Sequence, residues 1–450
     1  MFNSINPNNQ QVIADHQVDS EAEINQKIAT AHGAFVHWRG LPMDERGGYF
    51  LKLADYLRQN KEELAGVITD EMGKILAESR SEIEKCAVQC VHYAGQAKHL
   101  LQPQIVDTDA QKSTILFEPT GVVLAIMPWN FPFWQVFRYA VPALMAGNTT
   151  LLKHAPNVFG CAKVIEKAFA ACGFPMGVFQ NLFCANEPIE AVLAHPQVSM
   201  VTLTGSERAG AAVAALAAKN IKKSVLELGG NDALIVLPDA DLEAASTAAV
   251  ASRMMNAGQV CIAAKRFLVH NAIKAEFVKL FTQKIRNIKL GDPRQADTQM
   301  GPLARLDLAQ QIEDQYQRAV ASNAKVLIPM TREDCFVTPC LLEINDRNSA
   351  VFREETFGPL AVVMGFDTLE NAIELANDSV YGLSAAIWTA DLAQAQSMAA
   401  RLEVGTIFIN AVVRSDARLP IGGVKKSGYG RELSELGIKE FCQPKVVYVA

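Results

Sequence analysis

No apolar run in these 450 residues reaches the roughly 18 that a helix needs to cross a bilayer, so no membrane span is expected. The opening MFNSINPNNQ is polar where an export signal needs a charged and then an apolar stretch, and the chain is expected to be cytoplasmic. Broad positive charge is missing as well. The formal net charge is −6, the isoelectric point is near 5.8 and Lys and Arg are scattered, which argues against a nucleic-acid partner. The cysteines, at 86, 90, 161, 172, 184, 261, 335, 340 and 442, are odd in number and irregular in spacing, so they imply no disulfide framework. Neither close pair, Cys86 with Cys90 or Cys335 with Cys340, has a second CxxC or a histidine pair nearby, and no metal site is expected.

What is present is apolar material. Half of the residues are hydrophobic, and single cores stop growing at about 250 to 300 residues, so two or three domains are expected. Residues 20–100 carry helical periodicity, as in DERGGYFLKLADYLRQNKEELAGVITDEMGK at 44–74, and read as a helical layer rather than an active site. From 101 to 118, QPQIVDTDAQKSTILFEP mixes polar and β-prone residues and suits an extended excursion that pairs outside its own domain.

From 121 strand and helix alternate. GVVLAIMP is continuously apolar, as buried parallel strands are; VFRYAVPALMAGN reads as a helix ending at Gly, and TTLLKHAP as the next strand. The unit recurs through VSMVTLTGS and ERAGAAVAALAAK, which implies a doubly wound parallel sheet with ligands at the carboxyl ends of its strands. TLTGSERAG at 202–210 places a Gly between a strand and a helix N-terminus, an anion-favouring turn. Without the full GxGxxG spacing it reads equally as a plain turn or a dinucleotide site. A helix at about 241–256 then leads to GQVC, and RFLVH reads as the first strand of a new alternating segment. Cys261 therefore falls at a domain junction, either as a small buried hydrophobe or as a nucleophile in a cleft.

Six ordered motifs resemble those of the aldehyde dehydrogenase superfamily: PWNFPFW at 128–134, TLTGS at 202–206, LELGG at 226–230, GQVC at 258–261, EETFGP at 354–359 and GGVKKSGYGRE at 422–432. The resemblance covers nearly all of the chain from about residue 20. It implies an α/β fold with a Rossmann-type cofactor-binding domain (1–100 and 119–228), an α/β catalytic domain (229–430) and a small β oligomerisation arm (101–118 and 431–450), in a homodimer or homotetramer.

The resemblance also implies roles. An aldehyde carbon releases a hydride only after a nucleophile has added to it, and Cys261 takes that part. Asn130 and the Cys261 backbone N–H form the oxyanion hole, and Glu227 is the general base that hydrolyses the thioester. Members that pass the acyl group to coenzyme A generally lack this glutamate, so a free acid is the expected product. For the cofactor, Gly205 and Ser206 lie under the pyrophosphate, Lys153 reaches the adenosine ribose, Trp129 lines the site, and Glu355 with Phe357 positions the nicotinamide end. Where NAD-preferring members often carry a glutamate this chain has Pro156, with Lys153 and His154 nearby, so NADP is tolerated and NAD remains an alternative.

Arg138, eight residues after Asn130, matches an arginine of succinate-semialdehyde dehydrogenases, and a guanidinium suits a distal carboxylate; an interdomain salt bridge is the alternative. The wording of VRSDARLPIGGVKKSG at 413–428 resembles the compact bacterial branch of those enzymes, with Ser415 adding a hydroxyl and Arg414, Arg418 and Arg253 as further candidate partners. Two departures stand against the pattern. Met255 replaces a basic residue six positions before the cysteine, and Ala263 removes a second cysteine able to form a disulfide with the first. Oxidation of an uncharged aliphatic or aromatic aldehyde is the alternative activity. A cysteine hydrolase would need a histidine partner, which no motif supplies, and an inactive cofactor-binding protein would be expected to have lost Cys261 or Glu227.

Overall fold

The apolar run after Gly121 becomes the strand Val122–Met127, flanked in parallel by Thr149–His154 on one side and Val198–Thr204 on the other. All but one of its residues are buried, as a strand covered on both faces requires. The computed structural model describes Met1–Ala450 and extends this core to six strands. Their order is 428–429, 223–227, 198–204, 122–127, 149–154 and 179–181. Numbered along the chain, the five parallel strands run 5-4-1-2-3, so the order reverses between Val122–Met127 and Val198–Thr204. Such a reversal opens a crevice at the carboxyl ends of those two strands, where PWNFP and TGS lie.

Helices cover both faces. Glu21–Trp38 starts at a capping box in which Ser20 and Glu23 satisfy each other's backbone N–H groups. Trp134–Met145 is buried along its whole length. At its start the Phe133 and Trp134 N–H groups donate to one oxygen of Glu82, at 2.8 and 2.9 Å, and the other oxygen pairs with the fully buried Lys74 ammonium. A carboxylate at a helix N-terminus is stabilised by the free amides there, and here it also neutralises a cation withdrawn from water.

A second sheet of seven strands has the order 325–328, 340–343, 360–366, 264–270, 232–236, 384–388 and 406–409, parallel except for Lys325–Ile328. The α/β class expected from sequence is the one observed. Its second sheet begins one strand earlier than RFLVH suggests, at Asp232–Val236, whose five residues are all buried. The third sheet joins Gln104–Val106, Lys112–Pro119 and Cys442–Val449.

The tail divides differently from the expected boundary at 431. Gly428–Tyr429 adds to the edge of the first sheet, and the Ser434–Glu440 helix sets Leu433, Ile438 and Phe441 into that sheet's core, so only 442–449 joins the excursion. Apolar burial is the reason: those three side chains are wholly enclosed. A hairpin of Phe2–Ile5 and Val12–His16, too polar to stand out in the sequence, packs Phe2 edge-on against Phe159.

Replacing Glu82 by Ala leaves Lys74 unpaired in the interior and two helix amides without an acceptor. The expected loss is about 3–5 kcal/mol of stability, read as a lower urea midpoint, and an unchanged midpoint would deny the pair its structural role.

Candidate active site

The Leu242–Met254 helix, capped by the Asp241 side chain, stops before the cysteine because the chain turns left-handed. Asn256, Ala257 and Gly258 have φ of 51°, 52° and 77°. Ala in that region is strained by roughly 1–2 kcal/mol, so the surroundings must hold it. They do so with buried polar groups. Glu78 accepts from the Asn256 N–H, while the Asn256 side-chain amide donates to the Asn130 carbonyl at 2.9 Å and to that of Gln259 at 3.3 Å. Asn130 Nδ2 donates to the same Gln259 carbonyl at 3.0 Å, and Gln259 Oε1 accepts from Ala304 N–H at 2.9 Å. Beyond the turn, Lys265 Nζ holds the carbonyls of Val260 at 3.0 Å and Cys261 at 2.5 Å.

This loop presents Cys261 at the neck between two cavities. One, of about 720 Å³, lies at the crevice of the first sheet and is lined by Trp129, Asn130, Gly205, Ser206, Glu355 and Phe357 among others. The other, of about 600 Å³, is lined by Lys85, Trp134, Arg138, Arg414 and Ser415 among others. Cys261 and Gln135 line both.

The first cavity fits a dinucleotide. A Cβ built on Gly205 would meet only Leu203, at 3.6 Å, so the missing side chain leaves open cleft. Ser206 caps the Glu207–Lys219 helix, accepting from Ala209 N–H, and the first-turn amides of that helix suit an anion. Trp129 and Phe357 meet edge to face at 5.8 Å across the site, and Glu355 accepts from Gly230 N–H at 3.0 Å. Lys153 Nζ donates to Asn186 Oδ1 at 3.0 Å. His154 adds no charge there, contrary to expectation. Burial pushes its imidazole down to about 4, and its Nε2 donates to the Pro132 carbonyl at 2.8 Å, which ties the strand to the PWNFP turn.

At the neck the electrostatics keep protons on. Burial pushes the Cys261 thiol up to about 11, against the pull of Arg138 and Lys265. Burial raises Glu227 to about 8, with Arg138 opposing and Glu432 reinforcing the shift. The Glu227 carboxyl lines neither cavity, and its Oε1, buried without a partner, lies 2.9 Å from where a Cβ on Gly422 would be.

The candidate carboxylate partners are dispersed. Arg138 lines the aldehyde-side cavity, but its guanidinium pairs with the buried Glu432 and donates to Thr204 Oγ1 at 3.1 Å. Arg253 is fully buried and donates to the carbonyls of Gly258 and Gly358, so it does not reach a ligand. Arg418 is exposed, pairs with Asp416 and lines neither cavity. Ser415 and Arg414 do line the aldehyde side, as does Met255. Sequence reasoning missed Lys85, Lys265 and Glu432; Lys85 was hidden in a helical layer, where no motif marks it.

Comparisons with known proteins bear on the whole chain. The model of the aldehyde dehydrogenase family matches residues 1–447. A protein of Synechocystis named a probable NADP(+) succinate-semialdehyde dehydrogenase is 44% identical over 450 residues, with 99% of each chain covered. An Escherichia coli protein named an NAD(P)+ succinate semialdehyde dehydrogenase is 44% identical over 429 residues, covering 95% of this chain and 93% of its own. Among solved structures, a succinic semialdehyde dehydrogenase from Streptococcus pyogenes in complex with NADP+ superposes with a TM-score of 0.97 at 34% identity, covering 100% of both chains.

Gly205→Val should fold normally, since only Leu203 stands near the new side chain, yet weaken NADP binding by at least about tenfold by filling the cleft. Calorimetric titration with NADP checks this, and undiminished affinity would move the cofactor elsewhere.

Proposed function

The chain belongs to the aldehyde dehydrogenase family, and from that premise we propose that it oxidises succinate semialdehyde to succinate with NADP, NAD being the alternative acceptor. The observation that carries the substrate is the charge of the cavity beside Cys261. Lys85, Arg138 and Arg414 line it and no carboxylate does, so an aldehyde with an anionic tail is favoured over an uncharged one. The printed names of the relatives point to the same substrate and cofactor. For NADP, Lys153 supplies a cation and Pro156 stands where a carboxylate would repel a 2'-phosphate.

The chemistry assigned to the chain's own residues runs in two halves. Glu227 takes the thiol proton, and the Cys261 sulfur adds to the aldehyde carbon to form a thiohemiacetal. The developing oxyanion is held by the second N–H of the Asn130 side chain and by the Cys261 backbone N–H, which donates to no protein acceptor. Bound NADP supplies the acceptor for the hydride that leaves the adduct, and a thioester remains on Cys261. Glu227 passes the proton from the thiol to solvent and then, turned from Gly422 toward the neck, takes a proton from water as the water attacks the thioester carbon. The acid departs and the thiol is restored.

Assembly and compartment complete the proposal. Cys442–Val449 forms an open sheet edge with Val446, Val447 and Tyr448 exposed, suited to pairing between subunits of a homo-oligomer. Cysteines that are all free thiols suit the reducing cytoplasm, and no helix is long and apolar enough to cross a membrane.

Steady-state kinetics over succinate semialdehyde, butanal and benzaldehyde with each cofactor test the assignment. The semialdehyde should be preferred, and Cys261→Ala should abolish turnover while keeping NADP affinity; preference for butanal would replace the substrate. The pH profile is a separate check. A base that must be ionised and is raised to about 8 makes kcat climb from pH 6.5 to 9 with an inflection near 8. Glu227→Gln should lower kcat by about 10²- to 10⁴-fold and flatten the climb, and a profile flat in the wild-type enzyme would remove Glu227 from this role.

A further inference from the structure

One cation in the aldehyde-side cavity has no carboxylate partner, and the chemistry above does not use it. Lys85 stands on the Leu76–Leu100 helix, whose face toward the cavity meets the chain far downstream: its Nζ donates to Ser415 Oγ at 2.5 Å and lies 4.1 Å from the centre of the Trp134 ring. Two other charges nearby are engaged. Glu82 on the same helix is held by Lys74 and by two backbone amides, and Arg138 is paired with Glu432. Arg414 is exposed at the rim, where solvent screens it.

An ammonium withdrawn from water without a counter-ion is unfavourable unless a ligand supplies one. Burial and the neighbouring Arg138 charge push Lys85 down to about 8, so at neutral pH it is still mostly charged. The hydrogen-bond direction adds to this. Ser415 accepts from Lys85 and so keeps its own O–H to donate, while the ammonium has N–H groups beyond the one it gives to Ser415. Two donors from different elements then face one space, as the two oxygens of a carboxylate require. Lys85, Ser415 and Cys261 all line this one cavity.

We propose that Lys85, with Ser415, grips the distal carboxylate of the substrate, and that Lys85 rather than Arg138 is the residue that selects an acidic aldehyde. Arg138, tied to Glu432, shapes the field at Cys261. This inference rests on the succinate semialdehyde reading above.

The test compares wild type, Lys85→Met, Lys85→Arg and Ser415→Ala with succinate semialdehyde and with butanal at saturating NADP. Lys85→Met should raise KM for the semialdehyde by about 10- to 100-fold with kcat within about threefold, and leave butanal kcat/KM within about threefold. Lys85→Arg should recover part of the loss, and Ser415→Ala should show a smaller change of the same kind. Butanal turnover in each variant reports that it has folded. An equal loss on both aldehydes, or no change on the semialdehyde, overturns the proposal while the substrate reading stands. A wild-type enzyme that prefers butanal overturns the reading itself, and this proposal with it.

Discussion

The neck between the two cavities depends on a left-handed turn at 256–258, and that turn depends on the Arg253 guanidinium. Turning the backbone left-handed through an Ala aims carbonyls into the interior, where no water completes them. Arg253, wholly buried, donates to the carbonyls of Gly258 and Gly358 and, at 3.3 Å, to that of Ala264. Burial pushes it down to about 10, so it remains charged at neutral pH and its donors stay in place. A Cβ at Gly258 would fall 2.2 Å from the Gly358 carbonyl, so the turn and the EETFGP segment close on each other only with glycine there. That closure brings the second sheet's loop to the first sheet's crevice, and Cys261 is the residue it delivers.

Around the neck, buried charges fall into those that hold structure and those left for a ligand. Lys74 with Glu82 and Arg138 with Glu432 are paired inside the protein, and Lys265 holds the Cys261 loop from beneath. Such pairs add little net stability because desolvation offsets attraction, but they fix where the remaining charges stand. Glu227 and Lys85 stand outside these ion pairs, one with an oxygen unpartnered and the other with donors to spare. The proposed chemistry uses the first as a base and the second as an anchor, one toward each end of the aldehyde.

The parts of this molecule legible in its sequence are those encoded locally. Val122–Met127 could be read as a buried strand because it is apolar without interruption, and Thr204-Gly205-Ser206 as a strand-to-helix turn because a strand, a glycine and a cap follow in order. Asn130, Glu227, Cys261, Glu355 and Phe357 stood out by motif, and the structure brings them to one region. For Arg138 and Lys85 the missing fact was a partner far along the chain. Arg138 stood open between a ligand and a salt bridge because Glu432 is 294 residues away, and Lys85 looked like one more helical lysine because Ser415 is 330 residues away.

By itself, then, the sequence determined the alternation of strands and helices, the two parallel sheets that follow from it, and the residue types set at each turn. These are properties of hydrophobic periodicity and of short-range backbone chemistry. Tertiary structure alone decided which cations are spoken for. Arg253 became a brace, His154 a neutral tie to Pro132, Arg138 half of an ion pair, and Lys85 the cation left facing the cavity. Whether a buried charge is neutralised or available is set by what lies within about 4 Å of it in space, and neighbours in space are chosen by packing rather than by order along the chain.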